Sequence, residues 1–434
     1  MTSTTPTMAT LASCQARDAA DPLRPLRDLF TLPEGVIYLD GNSLGALPRA
    51  VPERVARVVA QQWGQDLIVS WNSAGWFALP RQVGERIAPL IGAGPGEVVA
   101  SDTTSVNLYK ALSAALSVAR ENDAQRRVVV SERSNFPTDL YIAEALCRER
   151  GCALRLIEAH ELQASLQPDV AVLLLSHVNY RTGALHDMAQ VTAAAHAAGV
   201  LTLWDLCHSA GALPIGLTAA DADFAVGCTY KYLNGGPGAP AFVWVHPRHV
   251  ARCWQPLAGW WGHAQPFAFT PEYEPAMDIT RYQCGTQPIL SLAALDAALD
   301  VFDAAAKLGG MAALRAKSLQ LTDLFIAAVE AECPGLFDLV TPRAHAARGS
   351  QVCLTPTARL PEGCAYAIVQ ALIARGVIGD FRAGDAQQSD ILRFGFTPLY
   401  LSHQEVLQAA HHLRDVLSTK EYTQPRFNQR HAVT

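Results

Sequence analysis

Between residues 97 and 250 short apolar runs alternate with helix-like stretches. RVVVS (127–131), ALRLIE (153–158), VAVLLLS (170–176), VLTLWD (200–205), DFAVGC (223–228) and AFVWV (241–245) are almost continuously apolar, which predicts strands buried on both faces. NLYKALSAALSVARE (107–121), YIAEALCRER (141–150) and AQVTAAAHAAG (189–199) lie between them with helical composition and spacing. Strands alternating with helices predict a mostly parallel sheet covered on both faces, an α/β domain. Ligands of such sheets bind in the crevice at the carboxyl ends of the strands.

After Pro288 the pattern changes. A long helical region, SLAALDAALDVFDAAAK followed by GMAALRAKSLQLTDLFIAAVEAE, runs to Pro334 and Gly335. A strand at 351–355, a helix at 363–375, strands near VIGDF and ILRFGF, and a helix at 403–417 follow. This predicts a connecting helix and a smaller α+β domain. The expected division is a flexible segment at 1–35, a large α/β domain at 36–290, and the connecting helix and small domain at 291–434.

Composition narrows the function classes. The chain has 434 residues, 50% hydrophobic and 17% charged, enough for two packed domains and unlike a disordered chain. Net charge is −6 with the two signs mixed, so no basic stripe points to nucleic acid and no polybasic segment to a membrane. Apolar runs such as AVLLL (171–175) are far too short to span a bilayer. The ten cysteines contain no C-x-x-C pair, so reduced thiols in the cytoplasm are expected, with no disulfide framework and no metal site. The first twenty residues lack the apolar stretch of a signal peptide.

The candidate chemistry concentrates in WDLCHSAGALPIGLTAADADFAVGCTYKYLNGGPG (204–238). Asp205 ends one predicted strand, His208 follows three residues later, and Lys231 ends the next strand. A lysine and an aspartate at neighbouring strand ends suit pyridoxal phosphate. The amine links to the cofactor aldehyde, and the carboxylate keeps the ring nitrogen protonated so that the ring accepts electrons. Either residue alone reads as a helix cap or a snorkelling surface charge. The pair, with Lys231 between Tyr230 and Tyr232 and before a glycine-rich turn, does not. Gly236-Pro-Gly238-Ala-Pro-Ala241 formally fits a dinucleotide-binding pattern, but Pro237 and Pro240 remove N–H donors and a strand follows where a helix is required.

The chain resembles the kynureninase family from about residue 36 to 418. The resemblance rests on YLDGNSLG (38–45), TTSVNLYK (103–110), SNFPTD (134–139), WDLCHSAG (204–211), CTYKYLNGGPG (228–238), GWWGH (259–263) and QPILSL (287–292), in that order. It implies a fold-type I pyridoxal-phosphate enzyme: a large domain with a mostly parallel seven-stranded sheet, and a smaller α+β C-terminal domain. The activity implied is hydrolysis of L-kynurenine, and of its 3-hydroxy form, to anthranilate or 3-hydroxyanthranilate and L-alanine, in tryptophan degradation and NAD biosynthesis. The resemblance also makes Lys231 the cofactor-linked lysine and Asp205 the partner of the ring nitrogen, with His208 beside it. Thr104 and Ser105 match phosphate contacts at a predicted helix start, where free N–H groups favour an anion. Phe136-Pro137-Thr138-Asp139 and Ser176 match further cofactor contacts, Phe136 stacking on the ring. Tyr230 matches a phosphate contact and a candidate proton donor. Trp260 and Thr286 match positions that the family donates across the interface of an obligate homodimer whose active sites are built from both subunits. Arg393 matches the arginine that grips the substrate α-carboxylate, and Ser43 lines the pocket. Trp71 stands where relatives that prefer 3-hydroxykynurenine carry histidine, which points to the unsubstituted substrate. Read without the family, the same residues are ordinary ones: N-cap threonine and serine, an X-Pro turn, core aromatics and a surface ion pair.

Other functions fit less well. Gly41-Asn-Ser43-Leu-Gly45 satisfies the G-x-S-x-G pattern of a serine hydrolase, but Pro48 delays the helix that such an elbow requires. Cysteine desulfurases and selenocysteine lyases usually place His before the lysine, where this chain has Tyr230. A cofactor-binding regulator would need a DNA-binding domain, and only about 35 residues precede the match.

Overall fold

The computed structural model describes residues 10–385 and 388–430. They form two compact units.

The first is built from residues 50–180 and 185–300. Its centre is a seven-stranded sheet in the order Val98–Ala100, Phe242–Val245, Phe224–Gly227, Leu201–Asp205, Val170–Ser176, Val128–Glu132, Ala153–Ile157. Neighbours from Phe224–Gly227 to Ala153–Ile157 run parallel, and Phe242–Val245 is antiparallel to both strands beside it. The central strands Val170–Ser176, Leu201–Asp205 and Phe224–Gly227 are buried almost throughout, so their sequences read as continuous apolar runs rather than as alternation. The helix Thr104–Asn122 covers one face, with Leu108, Ala111, Leu112 and Ala115 in the core beside Val172, Leu203 and Val226. The strands named in the sequence are all present. The seventh, Val98–Ala100, has three residues and carries no period of its own.

The second unit contains residues 1–49, 181–184 and 301–434. A four-stranded antiparallel sheet, ordered Phe337–Leu339, Gln351–Pro356, Ile391–Gly395, Asp380–Arg382, carries the helices Gly310–Glu332, Cys364–Ala374 and His403–Ser418. This is the expected α+β architecture, with different bounds. Residues 36–49, expected in the large domain, belong here: Ile37–Tyr38 pairs in parallel with Val377–Ile378, and Leu39 N–H donates to Ile378 O over 2.7 Å. The helix Ile289–Ala298, expected in the connecting segment, belongs to the first unit.

The expected flexible segment also differs. Leu11–Ala20 is a helix whose N-cap Thr10 makes a reciprocal capping box with Ser13, and Cys14 on it is buried. Asp18 accepts from the backbone N–H groups of His403 (2.7 Å) and Gln404 (2.9 Å), so it caps the helix His403–Ser418 from the far end of the chain. Residues 1–9 of that segment lie outside the described residues.

Candidate active site

Two strand ends set the centre of the site. The register pairs Ser176 with Asp205, the last residues of adjacent parallel strands. Asp205 Oδ1 accepts from the N–H of Cys207 over 2.8 Å, which fixes the carboxylate as the chain turns away. Lys231 lies four residues beyond Phe224–Gly227, not at the strand end as expected. The tight turn that carries it is closed by Asn234 N–H to Lys231 O and Gly235 N–H to Thr229 O, both 2.9 Å. Gly236 and Gly238, at φ +85° and +73°, then reverse the chain into the antiparallel strand. The glycine-rich segment therefore serves a turn and opens no helix.

A helix start faces the same place. Thr103 caps Thr104–Asn122, its hydroxyl accepting from Val106 N–H, so Thr104 and Ser105 occupy the first turn, where backbone N–H groups have no helical partner. The preceding turn holds Asp102 at φ +50°. Lys110, fully buried, braces it by donating to Asp102 Oδ2 over 2.7 Å and to Tyr282 O.

The segment after Val128–Glu132 supplies the third wall. Asn135 Oδ1 accepts from Phe136 N–H over 2.7 Å, and Pro137 opens the helix Pro137–Arg150. Phe136 remains 39% exposed, its ring edge-on to Tyr180 at 5.2 Å and 5.9 Å from Lys231 Nζ.

One cavity gathers Thr104, Ser105, Phe136, Thr138, Asp139, Ser176, Asp205, His208, Tyr230 and Lys231. Pro137 stands beside it at the helix start. Val178, Tyr180 and Cys207 also line it and were not singled out in the sequence. Tyr180 and Cys207 each lie within four residues of a strand end that was, and that proximity was the available signal.

Electrostatics sharpen the picture. Asp139 is buried, and burial followed by the Asp205 charge pushes its carboxyl well above the usual carboxylate range. Its Oδ2 has no hydrogen-bond partner among the described residues. Burial likewise raises the Tyr230 phenol, with the neighbouring Cys228, Cys207 and Asp205 adding to the shift, so Tyr230 keeps its hydroxyl hydrogen. The donor set suits pyridoxal phosphate: an amine, first-turn N–H groups for a phosphate, an aromatic face, and two carboxyls for a protonated ring nitrogen. The partnerless Asp139 oxygen is the kind of buried acceptor that such a nitrogen satisfies.

Three predicted residues of the same unit lie off this cavity. Trp260 is part of a short 3₁₀ turn beside Trp261, and Thr286 is exposed ahead of Ile289–Ala298. Trp71 is half-buried, packed edge-on to Trp76 and tilted against Trp261.

Ser43 and Arg393 lie in the other unit, and the structure brings them together. Arg393 Nη2 donates to Ser43 Oγ over 2.9 Å, and Ser43 Oγ donates to Asp380 Oδ2 over 3.0 Å. Arg393 is 1% exposed, so it is not the surface ion pair that its position in a strand suggested. Gly41 of the G-x-S-x-G pattern answers to packing. A Cβ on Gly41 would stand 2.4 Å from Thr397 Oγ1, and the next helix starts only at Ala50. No nucleophile elbow is formed.

Comparisons with known proteins agree with this geometry. Residues 37–360 match the aminotransferase class-V family and residues 314–413 the kynureninase C-terminal domain. Kynureninases of Burkholderia pseudomallei and Pseudomonas fluorescens are 55% and 54% identical over 409 residues, 93% of this chain and 95% of theirs. Among solved structures, C-DES with glycine covalently linked to its PLP cofactor superposes with a TM-score of 0.78 at 18% identity, covering 90% of this chain and 99% of that one. The cysteine desulfurase CsdA of Escherichia coli gives 0.75 at 18% identity, covering 92% and 98%. At that identity the two structures speak to the fold alone.

Proposed function

The chain belongs to the kynureninase family of pyridoxal-phosphate-dependent enzymes, and from that premise we propose how its residues divide the work. The reaction is hydrolysis of L-kynurenine to anthranilate and L-alanine by cleavage between Cβ and Cγ. The observation that carries the assignment of roles is the single cavity in which Lys231 meets the carboxyls of Asp205 and Asp139.

Lys231 would hold the cofactor through its amine. The first turn of Thr104–Asn122, with the Thr104 and Ser105 side chains, takes the phosphate, and Tyr230 adds a phenolic hydrogen bond. Phe136 covers the ring, Pro137 and Thr138 shape the wall, and Asp205, with Ser176, His208 and Asp139 around it, keeps the ring nitrogen protonated. Bound there, the cofactor supplies an electron sink for the pair released at the substrate α-carbon. Lys231, freed as an amine, removes the α-proton. Water adds to the γ-carbonyl, anthranilate leaves, Tyr230, held protonated by burial, delivers a proton to Cβ of the three-carbon fragment that remains, and Lys231 returns the α-proton to complete L-alanine. Arg393 takes the α-carboxylate, which displaces Ser43 Oγ from Nη2 because a charged acceptor makes the stronger hydrogen bond to a guanidinium. Trp71 takes the aromatic end, and unsubstituted kynurenine is preferred over its 3-hydroxy form.

The working unit in this reading is a homodimer, with Trp260 and Thr286 reaching the partner's cofactor. Exposed apolar side chains of the same unit support a covered surface: Leu67 60%, Ile68 76% and Phe269 76% exposed. Ten free cysteines fit a reducing compartment, which supports reading this as an enzyme of the cytoplasm. No helix among the described residues is long and apolar enough to cross a membrane.

The test is mass spectrometry of anthranilate formed from kynurenine by the purified protein, beside its visible absorption band and its mass in solution. Lys231→Ala is expected to lose turnover and the borohydride-sensitive band together. Full-speed cleavage by that variant would sink the reading, as would sulfide release from cysteine without anthranilate formation.

A further inference from the structure

Arg393 does not stand alone in its sheet. The antiparallel register sets Asp380 directly opposite it. Asp380 Oδ1 accepts from Arg393 Nε over 2.8 Å and its Oδ2 accepts from Nη2, so one carboxylate grips one edge of the planar guanidinium at two points. Both groups are buried, Asp380 completely. The same Oδ2 accepts from Ser43 Oγ and, over 2.5 Å, from Arg382 Nη2. Arg382 reaches solvent, with 36% of its side chain exposed.

Two bonds in one plane remove the freedom of the Arg393 head group to rotate. Asp380 alone would also cancel the arginine's charge and weaken its hold on an anion. Arg382 returns that charge on the solvent side, so the trio of two cations and one anion keeps a net charge of +1.

Resting on the reading that Arg393 takes the α-carboxylate, we propose that Asp380 is a positioning residue. It fixes the plane in which Arg393 meets the carboxylate of the amino-acid substrate, and Arg382 offsets the charge of Asp380. The simpler alternative is that Asp380 only neutralises a buried arginine. The two differ in what happens when the charge is kept and the geometry changed.

The experiment uses the holoenzyme and two variants, Asp380→Asn and Asp380→Glu. Positioning predicts that both raise the dissociation constant of L-alanine, read by titration of the cofactor absorbance, and the KM of kynurenine by about tenfold, with kcat within about threefold. Binding of the amine left when kynurenine loses its carboxyl group, and cofactor affinity, are expected to stay unchanged. Should Asp380→Asn fail to accumulate, Asp380→Glu carries the test, since it keeps the charge and displaces the carboxylate by one methylene. Wild-type alanine affinity in Asp380→Glu would overturn the proposal, and so would equal weakening of the carboxylate-bearing and carboxylate-free ligands. Arg393→Lys separates the two levels. Unchanged alanine binding in that variant removes the reading of Arg393 itself, whereas weakened binding there with wild-type binding in Asp380→Glu removes only the role of Asp380.

Discussion

Ser176 spends its single hydroxyl hydrogen on Asn135. Its Oγ lies 2.5 Å from Asn135 Oδ1 and 3.4 Å from Asp205 Oδ2, and both of those oxygens are acceptors. Asn135 is held in this orientation because its Oδ1 also accepts from Phe136 N–H, while its Nδ2 donates to Ser131 Oγ over 3.1 Å. The amide thus keeps the serine's hydrogen away from Asp205 and leaves that carboxylate oxygen open to a ring nitrogen.

In Asn135→Ala the hydroxyl is free to turn to Asp205, and a hydrogen bond to a carboxylate is worth about 1.5–3 kcal/mol. The expected result is a kcat about 3–10-fold lower and weaker cofactor retention. Adding Ser176→Ala to Asn135→Ala is expected to recover most of the kcat. Equal kcat in the single and double variants would place the loss in the turn at Phe136 instead.

Lys110 is a second support that touches no ligand. Removing its charge in Lys110→Met leaves Asp102 unpaired in a turn at positive φ and strips the hydrogen bond from Tyr282 O. Breaking a buried pair by removing one partner costs on the order of 3 kcal/mol, taken at the low end because Asp102 is partly solvated. Chemical unfolding measures that loss. Because the turn sets the start of the helix at Thr104, phosphate-bearing cofactor is expected to dissociate faster as well. An unfolding midpoint like that of the wild type would show that the pair supports neither.

The central strands of the larger sheet were legible because burial on both faces leaves few polar residues in them, and VAVLLLS is such a run. Asp205 was legible for a related reason: a charge at the end of such a run has the crevice to face, whereas Lys231, four residues past its strand, was legible from its pairing with Asp205 and the glycine-rich turn after it. Asp380 was not. Its meaning depends on the register that sets it opposite Arg393, and that register follows from pairing, not from local pattern. The same holds for Ile37–Tyr38, whose partner strand lies some 340 residues on. Asp18 escaped notice because the helix at His403 already has its local capping box in Ser402 and Glu405, and a further cap supplied from another part of the chain leaves no mark beside it. Asn135 sits inside the quoted SNFPTD segment, but only the distance to Ser176 shows what its amide does.

Asp40 makes the carboxylate cluster sensitive to pH. Burial, followed by the charge of Asp380, pushes its carboxyl up to about 7, against the pull of Arg393 and Arg382. Tyr38 and Ser43 complete its surroundings. Below that pH Asp40 is neutral and the cluster carries two cations against one anion, whereas above it the second anion cancels the charge. KM for kynurenine is therefore expected to rise as pH passes 7, and Asp40→Asn to flatten that rise. Stability moves in the same sense: the folded chain keeps a proton that the unfolded chain releases near its ordinary pKa of 3.8, so stability falls as pH climbs from there towards 7. Unfolding midpoints at several pH values check this, and a wild type and an Asp40→Asn variant with parallel profiles would refute it.

Under the proposed reading, Trp71 decides how the enzyme treats a hydroxyl on the substrate ring. Its indole stands edge-on to Trp76 at 5.5 Å and tilted against Trp261 at 5.3 Å, and Trp76 is itself tied to Gln62 Oε1 through its N–H over 3.0 Å. Two neighbouring indoles thus hold the ring in place. An indole offers a donor and no acceptor, so the phenolic hydrogen of 3-hydroxykynurenine loses its water partner against it and gains none. An imidazole nitrogen can accept that hydrogen, and a site that pairs a substrate hydroxyl discriminates far better than one that merely tolerates it. Trp71→His is therefore expected to raise kcat/KM for 3-hydroxykynurenine relative to kynurenine by about tenfold, at a stability cost of about 1–3 kcal/mol for the lost packing. Offering both substrates to one enzyme sample reads the ratio directly and cancels any difference in the fraction of active protein. If the ratio stays put while the unfolding midpoint falls, the indole serves the aromatic cluster and does not face the substituted edge of the substrate ring.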